Sequence, residues 1–318
     1  MQRNHRIILY VACLTSSITI TFAFGRYIFA VITPDIVKDL NLDYEFIGRI
    51  NALHQCSYLL FSLLGGVASR IIGARLLISS SVIFSAVSMI SLYFVHNQWL
   101  LLAIVALQGI FAATSWVPMV EVVGRSIKEE HRGKALGIIS SGTAYGLILN
   151  GSLIPYILTH YNWQTVWIVF GILSLIIGLF GIYVTYTTTD VSLTQNNDSD
   201  KPKIREESTG TFSRDSFLKN YSQYVPLIIL AIVSGLYLIP FQTYIVPFMV
   251  ENLGLGHEIA GISWGLFGIL GVISGLVVGF LADKFSAKKT MIITYGISAV
   301  AIFILILFHN TAFVLKNC

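Results

Sequence analysis

Charged side chains are scarce in this chain, so each one inside an apolar run needs a chemical reason. Arg26 is the foremost, standing in "FAFGRYIFAV". A guanidinium in hydrocarbon is costly unless it is paired or faces water. It could hold an anion, a carboxylate above all, by charge-assisted bonds in a central cavity. The alternative is a structural pair or an outward snorkel. His54 titrates near neutral pH if solvated; a hydrogen-bonded packing histidine is the plainer reading. Glu121 stands four residues before Arg125, the spacing of a helical ion pair. Gln108, Trp116, Tyr145, Asn150, Gln242 and Tyr244 are further polar or aromatic groups inside apolar runs, and with Arg26 and His54 they form the candidate solute-binding set.

Other chemistry finds little support. "GISWG" (261–265) has the hydrolase pattern, but that pattern needs a strand–turn–helix context, and Ser263 stands in an apolar run. No H-E-x-x-H or Walker loop occurs. No metal site is expected; "EEHRGK" (129–134) reads as a solvated loop. Cys13, Cys56 and Cys318 form no CxxC pair. The basic residues make no stripe with interleaved aromatics, so no nucleic-acid partner is expected. The residues point to no enzyme and to no cofactor.

The elements that position these residues are membrane helices. Of 318 residues, 55% are hydrophobic and 11% charged, with mean hydropathy +0.76. A soluble domain carries about 25% charged residues. Nine apolar runs approach the roughly 20 residues that a spanning helix needs. They lie near 8–33, 46–67, 76–95, 99–122, 135–158, 164–186, 224–249, 259–281 and 290–309. Hydrocarbon satisfies no exposed backbone groups, so the runs are read as helices. With the N-terminus inside, sixteen Lys and Arg fall in inside segments and two outside, a strong positive-inside bias. The first run is too long for a signal-peptide core and contains Arg26, so it is read as a retained helix. The polar stretch 188–223 separates six helices (1–187) from three (224–318).

The chain also resembles itself. At an offset of 213 residues, 32–75 fall on 245–288, with 11 identities in 44 columns. Pro34 matches Pro247, Gly48 matches Gly261 and Gly66 matches Gly279. The glycines Gly66 and Gly279 are expected to open two inner loops, "GVASRIIGARL" and "GFLADKFSAKK". Arg75 matches Lys288 in sign, whereas Arg70 stands opposite Asp283. Small-residue faces at Gly142 and Gly146, and at Gly271, Gly275 and Gly279, predict close helix contacts.

"GFLADKFSAKK" resembles the signature loop of the major facilitator superfamily, G-x-x-x-D-(R/K)-x-G-x-(R/K)-(R/K). Gly279, Asp283, Lys284, Lys288 and Lys289 fit, and Ser286 replaces a glycine. "RGKALGIISSGTAYGLILNGSLIP" is similar to that family's fifth helix, and "NWQTVWIVFGI" to the entry of its sixth. "FGRYIFAVITPDIVKDLNLDYEFIGRI" resembles the YbfB/YjiJ-type branch; "WVPMVEVVGR" is similar to the monocarboxylate and oxalate–formate branch. The resemblance implies an all-α polytopic membrane protein of two pseudo-symmetric bundles. The family has twelve helices, so the N-terminal six-helix bundle is complete, the C-terminal one partial, and the reading frame is expected to be truncated. It implies alternating-access transport of a small organic solute by a monomer in the plasma membrane, and Arg26 points to an anionic one. Gly66, Arg70, Arg75, Gly279, Asp283, Lys284 and Lys288 would then belong to gating loops, in which Asp283 and its lysines make ion pairs in one state only. A truncated, non-transporting protein or a sensor is the competing class.

Overall fold

The computed structural model describes residues 2–127, 129–189, 221–285 and 287–316. Most of the linker 188–223, including residues 190–220, lies outside them. Among the described residues there is no strand. The helices are α1 (Gln2–Ile18), α2 (Ile28–Asp39), α3 (Tyr44–Ile72), α4 (Ala74–Leu92), α5 (Gln98–Ser126), α6 (Glu129–His160), α7 (Trp163–Thr189), α8 (Tyr221–Pro247), α9 (His257–Phe285) and α10 (Ala287–Lys316). Eight helical stretches among the described residues are long and apolar enough to cross a membrane. The protein is therefore all-α and polytopic, as its apolar runs predict.

Two π-helical segments interrupt the pattern, Thr19–Tyr27 between α1 and α2 and Phe248–Asn252 after α8. The first makes residues 2–39 one continuous helix. Such widened turns concentrate at functional sites. Here the Asn150 side-chain amide donates to the Ala23 carbonyl at 2.9 Å, inside the widened turn. Thr19 Oγ1 donates to the Gly142 carbonyl at 2.8 Å. The Asn150 bond comes from α6 and satisfies a carbonyl of the widened segment, whereas the Thr19 bond runs the other way, from the segment's side chain to the α6 backbone.

The internal repeat holds in the helix ends. Asp39, Tyr44, Ile72 and Ala74 bound helices in the first copy, and Asn252, His257, Phe285 and Ala287 bound them in the second, all displaced by 213. The two inner loops shrink to single junction residues. α3 ends at Ile72, and Gly73, at φ 93°, caps it with its N–H on the Ser69 carbonyl at 3.0 Å before α4 begins. This φ favours glycine. Gly66 and Gly279 thus lie inside helices rather than opening loops, because helical hydrogen bonding continues to the junction. Ser286, the second junction residue, lies outside the described residues.

Two compact units are separable, Met1–Gly268 and Ile269–Cys318. In the first, α3 packs on α5, α4 on both α5 and α7, and α6 against α1 and the π segment. The core gathers Ile20, Phe24, Ile28, Ile47, Met89 and Trp167, and the Phe24 and Phe170 rings meet edge-on with centroids 4.9 Å apart. Glycines set the closest crossings. A Cβ at Gly146 would lie 2.1 Å from the Ala23 Cβ, and one at Gly109 would lie 2.3 Å from the His54 carbonyl oxygen. On α9 the backbone-close glycines are Gly261 and Gly268, against α6. A Cβ at Gly275 would meet nothing within 4 Å, so the expected face through Gly271, Gly275 and Gly279 is displaced toward the helix start. In the second unit, the Thr294 and Ser298 hydroxyls of α10 donate to carbonyls four residues earlier at 3.0 Å, a way to satisfy hydroxyls in an apolar helix.

Candidate solute-binding site

The α3–α4 end, with Arg70, Arg75, Arg125 and Arg132, is the basic end; the α2–α3 turn lies at the far end. Arg26 belongs to the π segment and is half-buried. Its Nη2 donates to Gln242 Oε1 on α8 at 3.3 Å, and its guanidinium lies 5.1 Å from the Tyr27 ring centroid. Among the described residues no carboxylate pairs with it. Two of the sequence candidates, Arg26 and Gln242, therefore come together.

An aromatic wall continues from there. Phe22, one turn before Arg26, packs edge-on against Tyr58 at 5.9 Å and against Trp116 at 6.3 Å. Trp116 thus joins the same face. Tyr58 and Phe22 escaped the sequence reading, which picked out other aromatics of the apolar runs; what sets these two apart is the helices they pack against. Their partnership depends on which helices pack together.

The other candidates occupy different places. Gln108 is fully buried between α4 and α5; Ser85 Oγ donates to its Oε1 at 2.7 Å, and its Nε2 donates to the Ser85 carbonyl at 3.2 Å and to Ser88 Oγ at 2.9 Å. Asn150 is engaged with the π segment, and its Oδ1 is buried without a partner. Tyr145 is 45% exposed. Tyr244 lies nearer the far end, donating to the Tyr44 carbonyl at 3.4 Å. His54 is 2% exposed, with Nδ1 unpartnered.

Further contacts between the first six spans and α8–α9 run from Arg26 toward the far end. Tyr27 and Trp264 rings lie 6.1 Å apart, and Tyr44 and Tyr244 rings 6.2 Å apart. His257 Nε2 lies 3.7 Å from Asp35 Oδ1. Near the basic end, Glu121 pairs with Arg125, as its spacing predicts, and also accepts from Ser69 Oγ at 2.7 Å. Arg70 and Lys284 are exposed and Arg75 is half-buried; Lys288 is exposed, and the side chain of Asp283 lies outside the described residues. Ser263 is inside α9, its hydroxyl donating to the Ile259 carbonyl at 2.9 Å. It lacks the strand–turn–helix setting of a nucleophile.

Apolar helices packed around Arg26, with which no carboxylate among the described residues pairs, define the class as a polytopic membrane protein. The chain matches the family model described as the Major Facilitator Superfamily over residues 15–316, and it belongs to that family. It is similar to the hexuronate transporter of Bacillus subtilis, 25% identical over 272 residues, covering 83% of this chain and 62% of the relative. It is also similar to a glucose-6-phosphate exchanger of Mus musculus, 27% identical over 173 residues, covering 52% of this chain and 34% of the relative. The chain spans about half the length of the curated relatives it matches. Its fold is that of the crystal structure of a D-xylose–proton symporter, with TM-score 0.65, 13% identity, and coverage of 88% of this chain and 70% of that one.

Proposed function

We propose that the chain supplies the N-terminal bundle (1–187), linker (188–223) and partial C-terminal bundle (224–318) of a secondary carrier for a small organic anion, a carboxylate in the first instance. One observation carries this reading. The Arg26 guanidinium is held mid-span by neutral groups alone among the described residues, Gln242 and the Tyr27 face. A structural arginine at that depth would be matched by a carboxylate; one kept for an anionic solute is matched by neutral donors and acceptors until the solute arrives. Trp116, Tyr58 and Phe22 offer an apolar wall for the rest of the solute. The anions in the names of the two relatives agree with this chemistry.

The cross-contacts at the far end fit one state of an alternating-access cycle. The basic loops orient that end outward, with the N-terminus cytoplasmic, in the plasma membrane, and the carrier works as a monomer. The gating set, Gly66, Arg70, Arg75, Gly279, Asp283, Lys284 and Lys288, then lies at the inner end. The test is uptake of radiolabelled hexuronates, monocarboxylates and sugar phosphates by reconstituted vesicles. Wild-type protein accumulates an anion, whereas Arg26→Ala loses at least tenfold in apparent affinity, about what a charge-assisted bond contributes. Unchanged uptake by Arg26→Ala rejects the anion site. No uptake or binding of any solute by wild type supports the non-transporting alternative.

A further inference from the structure

At the far end an ionisable pair joins α2 to α9, both within the first unit at this point. His257 Nε2 lies 3.7 Å from Asp35 Oδ1, and the two side chains are 30% and 29% exposed, so protons reach both. Asp35 stands one turn before the end of α2, and His257 is the first residue of α9. The second oxygen of Asp35, Oδ2, is buried without a hydrogen-bond partner. A carboxylate left so is costly to bury. A neutral imidazole brings no charge to the pair, so the contact attracts fully only when His257 carries a proton. Imidazoles exchange that proton between about pH 5 and 8.

The neighbours decide whether the proton is tied to the contact. Glu258 follows His257 on α9, and Glu251 lies on the π segment after α8; both are exposed and stand on the same side of the contact as His257. The start of α9 itself opposes a cation through the helix dipole. On α2, Lys38 is exposed, and Asp39 accepts from the Trp163 indole at 2.8 Å and the Gln164 amide at 3.2 Å. Tyr44 of α3 and Tyr244 of α8 bring phenols, Tyr244 donating to the Tyr44 carbonyl at 3.4 Å. On α6, His160 is exposed and holds its Nδ1 2.9 Å from both the Tyr156 carbonyl and the Thr159 hydroxyl. Asp35 is thus the acid that reaches His257 from across the contact.

We propose that Asp35 and His257 form a proton-dependent latch, in which a proton on His257 favours a closed far end and its loss favours opening. The latch rests on the reading of the far-end contacts as one state of a carrier cycle. The closed form brings the acid to the imidazole and binds the proton more tightly, so by linkage acid favours closure. Neither group touches the solute site, and Arg26 takes no part.

The test reads the distance across the far end by pulsed electron spin resonance, with the full chain in lipid nanodiscs. Nitroxides are placed at His96→Cys, between α4 and α5, and at Asn252→Cys, the end of the π segment after α8, in a background lacking Cys13, Cys56 and Cys318. Both positions are exposed. From about pH 8 to about pH 5.5, across the imidazole range, the ratio of short to long distances rises about three- to fivefold, the range of one partly exposed ion pair. His257→Gln and Asp35→Asn each remove that response, so the test stays decisive if one of them does not fold. His257→Arg, which keeps its charge at every pH, holds the ratio high throughout. A wild-type ratio that is flat or falls with acid overturns the latch, and so does an equal rise in His257→Gln. Arg26→Ala keeps the pH response, so a failed anion site and a failed latch are read separately. A single distance at every pH would also remove the alternating-access reading, whereas two pH-independent distances remove only the latch.

Discussion

Arg26 and Gln108 are both polar residues in apolar runs, yet their surroundings give them opposite tasks. Gln108 has its carbonyl and its amide committed to Ser85 and Ser88. Removing it strands buried hydroxyls, at about 1–3 kcal/mol. Gln108→Ala is therefore expected to lower the thermal midpoint in detergent by several degrees while leaving solute affinity per folded molecule unchanged. A fall in affinity at unchanged midpoint would return Gln108 to the solute site. Arg26, by contrast, has only neutral partners among the described residues. Arg26→Lys keeps the charge but loses the planar fork, and its uptake should fall between wild type and Arg26→Ala. The candidate site was legible in the sequence as a short roster of polar residues. Spacing alone could not separate Gln108 from Arg26, because burial partners come from helices far away in the chain.

At the scale of the element, the first span is interrupted by a π segment whose exposed backbone is served by α6. Asn150 bonds the Ala23 carbonyl, and Gly142 and Gly146 let the two helices touch. Gly146→Val would drive a side chain into Ala23, an overpacking that costs about 1–3 kcal/mol or more; differential scanning should show a clear fall in the midpoint. Gly66→Ala serves as its converse. A Cβ there meets nothing within 4 Å, and replacing a mid-helix glycine adds roughly 0.5–1 kcal/mol of stability. If both variants melt alike, the close crossing is not what holds the π segment. The helices themselves and their apolar faces were readable from composition. The π segment was not, since the Asn150 amide that serves its Ala23 carbonyl lies more than a hundred residues away.

At the scale of the whole molecule, Asp35 and His257 meet at the far end, on α2 and α9. If that closure opens in the cycle, tethering the two positions must stop it. Asp35→Cys with His257→Cys, in a background lacking Cys13, Cys56 and Cys318, is expected to lose uptake on treatment with a short bifunctional thiol reagent and to keep it with monofunctional reagent. Equal uptake after cross-linking would show that this end does not need to open. The sequence by itself determined the all-helical membrane class, because apolar length and backbone satisfaction leave hydrocarbon-bound chain no other choice. It also determined the duplication, whose offset of 213 reappears in the helix ends. What only the tertiary structure decided is which groups face one another: Arg26 with Gln242, Phe22 with Trp116, Asp35 with His257. The reason is physical. In a span buried against other helices, nearly every face is apolar, so helical periodicity does not mark the side that carries function, and packing assigns it.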